Sequence, residues 1–176
     1  ALLANTATLS LLGEVTMDLT GLVSFVLTWG VIGSAVITVY LLVAWRVGVL
    51  GGARNESTSV RDRLGSAGIA AVSVSIVIYV ALLCLADLVG LEGRSELSVG
   101  RLWAINYLVY FFWLLFDTFV IDILLVRVWH PDFLTLPDPR THGSVSYHLA
   151  TIPRGMVLGV VLSGVATVIS WFVMSA

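Results

Sequence analysis

Four apolar runs, at residues 21–45, 66–91, 102–126 and 153–174, decide what this chain can fold into. Each is long enough to cross the roughly 30 Å hydrocarbon core of a bilayer, which takes about 20 helical residues. Alternation of apolar and polar residues is absent, and backbone groups in lipid must pair within their own segment, so each run predicts a helix. Of the 176 residues, 59% are hydrophobic and 11% charged, too few polar side chains to cover a soluble domain. The expected fold is all-α: a polytopic membrane protein with one four-helix transmembrane domain over residues 1–176, a compact bundle with loops at 46–65 and 127–152.

Orientation follows from the arginines, since the 9 basic residues include no lysine. Arg46, Arg54, Arg61 and Arg63 follow the first run, and Arg127, Arg140 and Arg154 follow the third. The middle loop has Arg94 and Arg101, offset by Glu92 and Glu96. The positive-inside rule therefore puts loops 46–65 and 127–152 in the cytoplasm and both termini outside. Trp45 and Trp129 are expected to mark one interface, Trp103 and Trp171 the other. On this topology Asn55-Glu56-Ser57, a glycosylation sequon, faces the cytoplasm and reads as ordinary loop. The first loop reads as mobile, being rich in Gly and Ser. Residues 1–20 lack a basic n-region and read poorly as a signal peptide. A net charge of −2 without a basic run points away from nucleic acid, and the lipid bilayer is the implied partner.

Small residues recur at four-residue spacing: Gly155, Gly159 and Ser163 with Thr167; Gly30, Ser34 and Thr38; Ala67, Ala71 and Ser75. Such stripes let helix backbones approach. They predict a compact bundle, a homo-oligomer, or a membrane-protein partner. Pro131 is expected to stop the third helix and Pro153 to open the fourth, with Thr151 or Ile152 as its cap.

Two carboxylates interrupt the third run, in "LLFDTFVIDILLVRVWHPDF". Asp117 is expected roughly 15 Å of helix before Arg127, near the bilayer midplane. An aspartate at that depth costs about 2.5–3.5 kcal/mol on insertion scales, which makes it a functional candidate. Asp117, Asp122 and Tyr110 are the candidate ion or proton relay. Trp103, Asn106, Tyr107, Tyr110, Trp113 and Asp117 follow helical steps and form a semi-polar stripe. On an α-helix five residues turn by about 140°, so Asp117 and Asp122 are expected on different faces. Asp122 is expected to meet an arginine at the cytoplasmic edge, in a network with Arg127, His130, His148 and Arg154. Asp87, near the outer end of the second helix, is expected to reach water or Arg101. A protonated, hydrogen-bonded Asp117 of purely structural use is the competing reading.

His130, His142 and His148 share one loop, but their spacing fits no metal motif. Cys84 is the single cysteine and reads as a small buried residue. Nucleotide-binding, nucleophile-elbow and calcium-loop patterns are absent from the sequence. No cofactor and no catalytic residue is assigned.

"FDTFVID", then "HPDF", then a Pro-containing stretch and "YHL", over about residues 113–160, resembles an arrangement in uncharacterised small four-helix bacterial integral membrane proteins. The resemblance implies the same fold and topology, and a bacterial inner membrane, and it supplies no activity. The expected function is a non-catalytic membrane protein, an oligomer or accessory subunit of a membrane complex. The alternative is a proton or small-cation channel or transporter using Asp117. A further alternative is a membrane enzyme acting on lipid head groups with His130, His148 and the arginines.

Overall fold

The computed structural model describes residues 18–49, 60–91, 97–131 and 144–175, the side chains of 60–65 excepted. Among these residues the structure is all helical: α1 Leu19–Arg46, α2 Val60–Gly90, α3 Val99–Phe116 and α4 Val145–Ser175, with a π-helical segment, Asp117–Trp129, continuing α3. Four helices are long and apolar enough to cross a membrane: Leu19–Arg46, Ser66–Gly90, Val99–Trp129 and Val145–Ser175. Several expectations fall outside the described residues: the tail before Asp18, the Asn55-Glu56-Ser57 sequon and the mobility of its loop, Arg54, Arg94, Arg140, His142, and an ordered course for "DFLTLPDPR" after Pro131.

Polar side chains start the helices. Asp18 accepts a hydrogen bond from the Gly21 N–H at 2.8 Å, and Ser98 from the Arg101 N–H at 3.3 Å. Ser144 accepts one from the Tyr147 N–H at 3.1 Å. These N-caps satisfy backbone donors that have no partner in the first turn. The cap at Ser144 corrects the expected start of α4. The helix begins at Val145, and Pro153 lies inside it. Pro153 has no N–H for the carbonyl of Leu149, a loss that membrane helices tolerate when neighbours compensate. Thr151, expected as a cap, instead donates its hydroxyl to the His148 carbonyl at 2.6 Å.

Helix α3 is central. It packs on α1, α2 and most extensively on α4, whereas α1 and α4 lie diagonally apart without contact among the described residues. One device secures α3 to both flanks. The Trp113 indole lies where a Cβ on Gly33 would stand, and its N–H donates to the Trp29 carbonyl, four residues earlier, at 3.1 Å. The Tyr110 ring covers Gly159 in the same way, and its hydroxyl donates to the Gly155 carbonyl, again four residues earlier, at 3.2 Å. The missing Cβ admits the ring, and the ring's polar tip finds the acceptor that burial demands. The stripe Gly155, Gly159, Ser163 therefore serves packing inside the chain. Gly155 faces Leu114, while Gly159 and Ser163 are buried.

Gly159→Leu is expected to drive Tyr110 out of its seat and break its bond to Gly155. Overpacking of this kind costs about 1–3 kcal/mol. Gly100, with nothing within 4 Å, is the control position. Thermal melts in one detergent should drop for Gly159→Leu and stay unchanged for Gly100→Ala; equal melts would remove this packing role.

Two apolar clusters fill the bundle. The larger, around Leu83, Leu102, Val109 and Trp113, includes Leu91 and Leu97 at the end where α2 stops and α3 starts. The smaller joins Trp45, Ile121 and Val126 at the opposite end. Trp45 thus departs from the expected belt: it is 9% exposed and turned inward, whereas Trp129 is 64% exposed.

Candidate functional site

The site grows out of the change in helical hydrogen bonding at Asp117. Downstream, hydrogen bonds reach five residues back, ending with the His130 N–H on the Leu125 carbonyl at 2.9 Å. Such i→i+5 geometry is rare, occurs mostly as single turns, and is frequent at functional sites. Here it covers 13 residues. It also changes the expected angle between the two acids. An i→i+5 helix has more residues per turn than an α-helix, so residues five apart diverge by less than the about 140° of an α-helix, and Asp117 and Asp122 lie nearer one side. Asp122 is close enough for its charge to act on Asp117, and Tyr79 lies in the field of both.

The site continues onto α4. His148 Nδ1 lies 2.9 Å from Asp122 Oδ2, with the two side chains 7% and 22% exposed. Nδ1 carries the proton of this bond when Asp122 is ionised, because a carboxylate can only accept. His148 is thus a partner of Asp122, as the expected edge network had it. The early start of α4 puts His148 on its first turn, opposite Asp122. Tyr147 meets the imidazole edge-on, with ring centroids 5.5 Å apart.

At the other end of the site, Asp117 opens onto a cavity of about 170 Å³ between α1, α2 and the π segment. Its lining combines Tyr40, Ser75, Tyr79 and Asp117 with Ile37, Leu41 and Ile78. Asp117 Oδ1 is shielded from solvent and has no hydrogen-bond partner. A buried acceptor left so costs about 1–3 kcal/mol, and more when charged. A carboxylate kept in that state beside open space is poised to take up a proton or a small donor.

Of the other predicted relay and edge residues, His148 meets Asp122. Tyr110 approaches Asp117, but its hydroxyl proton is committed to Gly155. His130 adopts a left-handed backbone, φ 39°, just before Pro131, and its Nδ1 lies 2.9 Å from the Val126 carbonyl of its own helix. It closes the π segment, and Pro131 ends the helix as expected. Arg127 and Arg154 are exposed.

A second polar cluster was not foreseen. Asp87 is 0% exposed, so the expectation that it reaches water is wrong. The Asn106 amide donates to Asp87 Oδ2 at 2.9 Å and to Thr167 Oγ1 at 3.1 Å, tying α2, α3 and α4 together. Leu91, Leu97 and Leu102, all buried, belong to the core at this end of the bundle. The available signal was a polar residue near the same end of each of three separate apolar runs. The semi-polar stripe also divides. Asn106, Tyr110 and Trp113 point inward, while Trp103, Tyr107 and Phe111 form a ladder of stacked rings along α3.

Among the described residues, no three of His, Cys, Asp and Glu converge as metal ligands. No protein-family model, curated protein or solved structure matches this chain.

Proposed function

We propose that the chain is a multi-pass protein of the bacterial inner membrane, with both termini outside, that moves protons through Asp117, Asp122 and His148. One observation carries this reading: the π segment brings the two carboxylates nearer one side, with His148 hydrogen-bonded to the second at 2.9 Å. Carboxylates and imidazole are the groups from which intramembrane proton relays are built. Imidazole adds a group that changes charge near neutral pH. The direction of travel is between the cavity at Asp117 and the arginine-bearing end at His148. The densely packed leucines around Asp87 close the opposite end in this conformation.

The alternative of a passive oligomer or accessory subunit leaned on the small-residue stripes. The buried part of the α4 stripe is occupied within the chain, by Tyr110 over Gly159. That leaves it without a specific observation in its favour, and the relay is preferred.

Reconstitution into liposomes with an internal pH-sensitive dye tests the proposal. Under a potassium–valinomycin potential, the protein should acidify or alkalinise the lumen faster than protein-free vesicles do. His148→Gln keeps a donor for Asp122 but cannot shuttle a proton, and should slow flux by about a hundredfold, the lower range for a positioned proton-transfer group. Flux equal to the wild type would remove His148 from the path.

A further inference from the structure

The donors and acceptors around the cavity narrow what can occupy it. Tyr40 donates its hydroxyl to the Ala71 carbonyl at 2.5 Å, and Ser75 donates its own to the same carbonyl at 3.0 Å. Each hydroxyl has one proton, so what remains on both oxygens is acceptor capacity. The Asp117 carboxyl group is a third acceptor in the same lining. The formal charge these three bring is negative. Ile37, Leu41 and Ile78 complete the wall with hydrocarbon. A volume of about 170 Å³ takes about half a dozen water-sized groups at roughly 30 Å³ each.

We propose that this cavity binds a small primary ammonium ion, an alkylamine of a few carbons. The N–H groups of such an ion satisfy Asp117, Ser75 and Tyr40 together, its charge offsets the carboxylate, and its alkyl stub lies on Ile37, Leu41 and Ile78. A quaternary ammonium has no N–H to give the three acceptors. A bare metal ion has no use for the hydrocarbon wall. An organic anion meets a carboxylate. The inference rests on Asp117 as the working acid of the proton path, and makes a protonated amine the species exchanged there against a proton.

The test is calorimetric titration of the full chain in lipid nanodiscs with propylammonium chloride. Tetramethylammonium chloride, sodium chloride and sodium propionate serve as comparisons at matched ionic strength. Saturable binding of propylammonium is expected, with none of the three competing. Ser75→Ala and Tyr40→Phe should each weaken it about tenfold, the worth of one hydrogen bond to a charged group. Asp117→Asn should weaken it more. If Asp117→Asn does not fold, the other two variants carry the comparison. Absence of saturable binding, equal competition by sodium or tetramethylammonium, or wild-type affinity in the variants overturns the inference. Proton flux measured on the same preparation separates the two ideas. Flux without amine binding rejects the pocket and keeps the relay; amine binding without flux keeps the pocket and rejects the relay.

Discussion

Asp117→Asn is expected to bring proton flux in reconstituted vesicles down to the level of protein-free vesicles while leaving the fold intact. An amide has nearly the shape of the carboxyl group, so the cavity keeps its walls. It cannot accept and release a proton at the potentials a membrane supplies. The loss should exceed about tenfold, which corresponds to about 1.4 kcal/mol on the barrier. Stability should hardly change, because Asp117 Oδ1 has no hydrogen bond to lose. Removing an unpartnered buried acceptor can even stabilise. Flux and thermal melting measured on one preparation separate these effects. A melt far below the wild type would make Asp117 a structural residue. Undiminished flux with an intact fold would remove it from the path.

The largest stability effect is expected at the other polar cluster. Asn106→Leu takes from Asp87 the amide that donates to its Oδ2 and leaves an aspartate at 0% exposure without that bond. Stranding a buried acid in this way costs about 3 kcal/mol or more. Replacing both partners is a different matter. Asp87→Leu combined with Asn106→Leu presents hydrocarbon to hydrocarbon, and should recover most of the loss. Chemical denaturation of the two single variants and the double variant closes the cycle. Strong non-additivity is the expected result. A double variant as unstable as the sum of the singles would mean that the two residues act separately.

Run length and composition foretold four helices, because a bilayer imposes one length and one polarity on every span. The position of Pro131 foretold where α3's continuation ends. The start of α4 was misjudged because Pro153 reads as a first-turn residue, whereas the Ser144 cap lies earlier and the membrane context tolerates an internal proline. The approach of Asp117 and Asp122 to one side was invisible for a related reason. Residues five apart draw nearer in direction when hydrogen bonding switches to i→i+5, and nothing in "DTFVID" announces that switch. Pairings between helices were harder still. Asp87 with Asn106, and Asp122 with His148, join residues 19 and 26 positions apart, and periodicity within one helix carries no information about them. Asp117 itself was legible, since an acid amid Leu, Phe, Val and Ile costs enough to insert that its presence asks for a use. The cavity beside it was not, because empty space is a property of three helices together.

The proposed relay requires the proton on Asp117 to respond to Asp122 and His148, and infrared difference spectroscopy reads this directly. A pH titration of the reconstituted protein follows the carboxylic C=O band that Asp117→Asn removes. In a coupled set, Asp122→Asn and His148→Gln each displace the midpoint of that band, because the proton on Asp117 responds to the charge of its neighbours. An Asp117 band with the same midpoint in the wild type and in both variants would contradict the relay.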